Sequence, residues 1–153
     1  FRKPFCQTSG CSAVPAGHGA GGVLMAAHWS EAYIGLPYIE QTHDCAEFAA
    51  RVARERFGKV VVLPGHAATL RAQAADIDTL KPVLAYPVDL PEEGDVVLMK
   101  CRGRLSHIGV YATISGEAYV LHAMKNAGQV VLHRLRDLAR EGLVLDGFYR
   151  WKE

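Results

Sequence analysis

Charge of one sign is what this sequence most plainly lacks. Its 17 lysines and arginines meet 16 aspartates and glutamates, a formal net charge of +1 with no long run of either sign. No phosphate-tracking surface is implied, and nucleic acid is not an expected partner. No apolar run approaches the roughly 20 residues of a membrane span, and the first residues lack the basic-then-apolar order of a secretion signal. The expectation is a soluble chain with no signal peptide, made in the cytoplasm and with no membrane partner. Cysteine is sparse: Cys6, Cys11, Cys45 and Cys101 are irregularly spaced and do not read as a disulfide framework. Cys6 and Cys11 with His18 offer three metal ligands, but the paired second half of a structural zinc site is missing, so no metal is expected. Repeats and low-complexity tracts are absent.

What is present suits one compact domain, since half of the 153 residues are hydrophobic and a chain of this length buries a sizeable core. Residues 1–24, with Pro4, Pro15 and five glycines between Gly10 and Gly22, read as an irregular arm. Met25 reads as a start site, which leaves 25–153 as the domain. Trp29, Ala32 and Tyr33 share one side of a short amphipathic helix over Ala26–Ile34, stopped by Gly35-Leu36-Pro37-Tyr38. A second helix runs from Cys45 to about Phe57. Lys59–Leu63 leans towards strand. His66–Leu80 has helical composition, with Leu70, Ala74, Ile77 and Leu80 as its inner stripe, and Lys81–Glu93, with three prolines, reads as a surface connection.

The period then changes. Asp95–Arg102, Leu105–Ile114, Ala118–His122 and Gln129–His133 alternate, separated by Gly103, Ser115-Gly116 and Asn126-Ala127-Gly128. A short helix over Arg134–Glu141 and a last strand over Leu143–Trp151, broken by Asp146-Gly147, complete the chain. The class is α+β, with N-terminal helices packed on one face of a C-terminal antiparallel β-sheet meander.

Chemistry converges on Thr42-His43-Asp44-Cys45-Ala46-Glu47-Phe48. Asp44 is a favoured N-cap and Glu47 completes a capping box, which sets Cys45 at the first helical position. The unpaired N–H groups and positive dipole end there favour a thiolate. Phe48, Ala49, Val52, Ala53 and Phe57 recur at helical spacing behind it, so the apolar face also carries the sulfur. A buried core cysteine is the alternative. A catalytic thiol needs a base, and the base needs an orienting group. His107 shares a strand face with Gly109 and Tyr111. A two-residue hairpin at Ser115-Gly116 would pair Ile114 with Glu117 and set His122 opposite Gly109, a diagonal neighbour of His107 about 7–8 Å away by backbone. Ordinary sheet histidines are the alternative. His18, His28, His66 and His133 have no evident partners, and His43 reads as a loop histidine.

The order Cys45, His107, His122, with Tyr33-Ile34-Gly35-Leu36-Pro37-Tyr38, Asp44-Cys45, Glu93-Gly94-Asp95-Val96-Val97, Ser106-His107-Ile108-Gly109-Val110-Tyr111 and Val120-Leu121-His122-Ala123, resembles the NlpC/P60 family of papain-like cysteine peptidases. The matching pieces span residues 29 to about 135 and look most like members found with phage tail-assembly genes. The resemblance implies Cys45 as nucleophile, His107 as general base and His122 as its orienting group. Tyr38 would join the Cys45 N–H in stabilising an oxyanion, and Asp44 and Ser106 would help to hold a substrate amino group. Tyr38 also reads as a packing residue and Asp44 as a helix cap. The implied activity is hydrolysis of amide bonds in peptidoglycan stem peptides, often between D-γ-glutamate and a diamino acid, without a cofactor. Phage tail proteins are implied partners, and the wall would be reached through a virion, lysis or a secretion machine. The loop Ile39–His43 is shorter than usual in the family, and Ala46-Glu47 replaces its Ser-Gly. A structural tail component, or a related amidase or acyltransferase, are the rival readings.

Overall fold

The computed structural model describes residues 26–40, 42, 44–63 and 70–153. The arm 1–24, Met25, Cys6, Cys11, His18, His43 and His66 lie outside the described residues. The first element is a 3-10 turn at Trp29–Ala32, capped by the His28 ring, which accepts from the Ser30 N–H. The amphipathic helix expected over Ala26–Ile34 is therefore only one turn. So short a segment gains too few hydrogen bonds to propagate, and Gly35, at φ +86°, turns the chain away.

Helix α1 spans Cys45–Phe57. Asp44 Oδ1 accepts from the N–H groups of Ala46 at 3.1 Å and Glu47 at 3.0 Å, and Gly58 closes the helix at φ +65°. Phe48, Ala49, Val52 and Ala53 are buried as the periodicity requires. Lys59–Leu63 does not become a strand. Val60 and Val62 are exposed around a buried Val61, whose carbonyl accepts from Arg54 Nη1. Helix α2, Leu70–Leu84, runs through Pro82, correcting the surface connection expected from Lys81 onward. Proline so near a helix end forfeits one backbone bond, and its carbonyl is taken up by Lys152 Nζ.

Six strands follow: β1 Ala85–Val88, β2 Val96–Cys101, β3 Arg104–Ile114, β4 Glu117–Met124, β5 Gln129–Arg134 and β6 Leu143–Trp151. They form one antiparallel sheet in the order β1-β6-β2-β3-β4-β5. The meander is thus β2 to β5, with β6 returning beside β2 and β1, absent from the sequence reading, at the edge. Pro87 is tolerated in β1 because edge strands need not donate on both sides. β6 is not broken at Asp146-Gly147. Its register skips Asp146 between Leu98↔Gly147 and Met99↔Leu145, a bulge.

Both faces of the sheet are covered. Helix α1 packs Phe48, Ala49 and Val52 with Val96, Ile108, Val110 and Leu121. Val97, Met99 and Val120 on the other face pack with Leu138 and Leu143. Leu138 belongs to the 3-10 helix Leu135–Glu141, so the helical layer is not confined to one face.

Asp95, 4% exposed, ties the start of β2 to β6. Its carboxylate accepts from Arg150 Nε at 3.0 Å, Arg150 Nη2 at 2.8 Å and the Glu92 N–H at 2.7 Å. Glu93 accepts from Trp29 Nε1 and the Thr113 N–H, and its Oε2 lies 3.6 Å from His28 Nε2. His28 thus has partners the sequence did not reveal. Between the two carboxylates Gly94 sits at φ +88°, where a Cβ would lie 2.6 Å from the Phe57 ring. Substituting Gly94→Ala should lower stability by about 1–3 kcal/mol through strain and overpacking. A lower urea midpoint with an unchanged slope would show it.

Candidate active site

The hydrogen-bonded ladder between β3 and β4 ends at Val110↔Leu121. Beyond it the strands part: β3 continues to pair with β2 as far as Arg104, and β4 with β5 as far as Gln129. The sheet is a fork there. Tyr111 exchanges backbone bonds on the β2 side, with Asp95 and Gly94. Alternation therefore turns the N–H of Ile108 towards the side that β4 has left. That N–H is directed at the Cys45 sulfur, as are the N–H groups of Cys45 itself and Ala46. The first residue of α1 therefore faces the side of β3 from which β4 has parted.

The thiol does not ionise as its helix position alone suggested. Burial pushes it up to about 11, against the pull of the three backbone N–H groups, and the Asp44 charge adds to the rise. Desolvation outweighs the helix end. Burial also pushes the His107 imidazole down to about 4, and His122 further down, with His107 and His133 adding to the effect. At neutral pH the thiol and both of these rings are neutral.

His107 and His122 meet as the two-residue turn requires. Ile114 pairs with Glu117, and His107 Nε2 lies 2.7 Å from His122 Nδ1 across the fork. Gly109 makes this possible, because a Cβ there would stand 2.3 Å from Val120 Cγ1 and 3.2 Å from His122 Cβ. No hydrogen bond joins Cys45 to His107 among the described residues, although His107 directly precedes the residue whose N–H faces the sulfur. Catalytic hydrogen bonds in unliganded sites are commonly long and tighten with substrate. His133, without a partner in the sequence reading, corrects it: His133 Nδ1 lies 3.0 Å from His122 Nε2, and His133 Nε2 lies 3.9 Å from Glu141 Oε1. The signal was the register of β5, where His133 pairs with Val120 and so shares the face of His122. The turn between β4 and β5 was too irregular to fix that register in advance.

The remaining candidates gather on the other side of Cys45. Tyr38, Asp44, Cys45 and Ser106 line one cavity of about 120 Å³, whose far wall includes Leu84 and Trp151. His107 and His122 do not line it. Tyr38 is held by strand-like pairing of its segment with β5: its N–H donates to the Gly128 carbonyl, the Val130 N–H donates to the Leu36 carbonyl, and the Gly35 N–H donates to the Val130 carbonyl. Burial pushes its hydroxyl up to about 12, with the Asp44 carboxylate and, once ionised, the Cys45 thiolate adding to the rise, which keeps it a neutral donor. Ser106 is the extra residue of a bulge, since Met99 pairs with His107 and Lys100 with Leu105. The bulge lets Ser106 reach the cavity, where its Oγ donates to the Arg104 carbonyl at 3.3 Å. Asp44 serves as the helix cap and lines the cavity as well.

No protein-family model matches the chain, and no curated protein matches it. Among solved structures, similarity is found to an N-acetylmuramoyl-L-alanine amidase from Bacteroides uniformis, with a TM-score of 0.34 and 18% identity over 52% of this chain and 42% of that one. The chain spans less than half of that protein, and the architecture and site described above stand on this chain's own geometry.

Because the resting thiol is neutral, alkylation of Cys45 by iodoacetamide should be slow at pH 7. It should rise about tenfold per pH unit towards pH 9, following the thiolate fraction. Peptide mass mapping of the labelled cysteine checks this, and a plateau already reached at pH 7 would contradict the assigned burial.

Proposed function

We propose that this chain is a cysteine peptidase of the NlpC/P60 kind, hydrolysing amide bonds in peptidoglycan stem peptides such as that between D-γ-glutamate and a diamino acid. The observation that carries the proposal is the fork: the Ile108 N–H on its open side faces a cysteine at a helix N-terminus, and two histidines from its two strands meet at 2.7 Å. His107 uses Nε2 towards His122, which leaves Nδ1 for the thiol. In this mechanism Nδ1 takes the Cys45 proton as Sγ attacks the scissile carbonyl, so the nucleophile is generated at the moment of attack. The Cys45 N–H and the Tyr38 hydroxyl stabilise the tetrahedral oxyanion, a contribution of about 3 kcal/mol for one donor. The amine leaves with the proton from His107, and water, activated by the same ring, hydrolyses the thioester. Asp44 and Ser106, which line the cavity with Cys45, suit a substrate amino group. A phage tail is the setting the sequence resemblance favours.

A second reading, acyl transfer to an amine, shares every step up to the thioester. It is favoured by the apolar wall of the cavity, where Leu80, Leu84, Val96 and Leu98 stand near Cys45 and would shelter a thioester from water.

Incubation with purified stem peptides should release new amino groups, identified by product mass, and Cys45→Ala should abolish the release. Tyr38→Phe should lower kcat about 100-fold with the fold intact. Intact stem peptides after prolonged incubation with the wild-type chain would defeat the hydrolase reading. Products joined to an added amine would favour transfer.

A further inference from the structure

The histidine pair does not end at His122. Ring contacts of 2.7 Å and 3.0 Å run from His107 through His122 to His133, and Glu141 lies 3.9 Å beyond. His122 is fully buried, whereas the His133 side chain is 26% exposed and that of Glu141 40%. The series thus leads from His107 in the fork to the surface. It involves Nε2 of each inner ring and Nδ1 of the next, so the three imidazoles are joined head to tail.

A neutral imidazole donates from one nitrogen and accepts at the other. Each ring contact needs one proton, so when each of the three rings carries a single ring proton the series has two arrangements only. In the first, every ring donates away from Cys45, His107 Nδ1 is bare, and His133 Nε2–H faces Glu141. In the second, every ring donates towards Cys45, His107 Nδ1 carries a proton, and a bare His133 Nε2 faces the carboxylate. The second sets a lone pair against a negative charge. Only the first gives His107 the free lone pair that a base for Cys45 requires.

We propose that His133 and Glu141 are positioning residues: Glu141, acting through His133 and His122, selects the tautomer that leaves His107 Nδ1 unprotonated. The inference rests on reading Cys45 as nucleophile and His107 as its base. Neither His133 nor Glu141 touches substrate. Their role is to make one of two proton arrangements dominant, as outer partners do for a ligating histidine.

Long-range proton–nitrogen NMR of the full chain carrying ¹⁵N-histidine reads the tautomers without substrate. In the wild type His107 should be protonated at Nε2 and bare at Nδ1. Glu141→Lys changes an exposed side chain and places a donor opposite His133 Nε2, which should shift His107 towards the Nδ1-protonated form. His133→Phe removes the acceptor for His122 and should do the same, while His133→Gln, which restores an acceptor, should return the wild-type pattern. If stem-peptide cleavage is observed, Glu141→Lys and His133→Phe should each lower kcat at least about tenfold with KM little changed. An unchanged His107 tautomer in Glu141→Lys, or a protonated Nδ1 in the wild type, would overturn the proposal. Tautomer shifts in a chain that cleaves nothing would leave the relay standing and defeat the peptidase reading. Cleavage without tautomer shifts would do the reverse.

Discussion

A backbone N–H that loses its strand partner inside a sheet needs another polar neighbour, and the Ile108 N–H, on the side of β3 that β4 has left, faces the Cys45 sulfur. The fork between β3 and β4 opens that side, and the first residue of α1 faces it. The Cys45 thiol is nonetheless hard to ionise, because burial outweighs the three N–H groups around it, and its reactivity is left to be drawn out by a base.

The carboxylates at the start of β2 maintain the frame in which this happens. Asp95 binds Arg150 on β6, and Glu93 binds the first turn and β3. Two loop residues, one on either side of Gly94, thus join the N-terminal turn, the middle of the sheet and its last strand. Gly94 between them lets the loop lie against Phe57 at the end of α1. The segment Glu93-Gly94-Asp95 thus ties the first turn and the end of α1 to the sheet.

Much of this was legible because it is local. Asp44 capping α1, Gly58 closing it, and the hairpin at Ser115-Gly116 all rest on residues a few positions apart, and the hairpin alone sufficed to bring His107 to His122. What stayed hidden depends on partners distant in the chain. β1 is four residues long with a proline inside, and only β6, more than fifty residues later, makes it a strand. Helix α2 passes Pro82 with the help of Lys152. His133 looked solitary because its face is set by β5's register. The thiol's resistance to ionisation was illegible for a different reason: helix position shows in sequence, whereas desolvation is a property of the assembled interior.

The turn at Ser115-Gly116, with φ of 50° and 77°, has the left-handed backbone at both positions that a two-residue hairpin requires. A strand's side chains alternate strictly, so one residue gained or lost in that turn would invite β4 to slip and carry His122 to the opposite face. Among descendants of this sequence the turn can therefore change its letters far more readily than its length. A surface loop that touches no substrate is thus held to the same count as the residues it aligns.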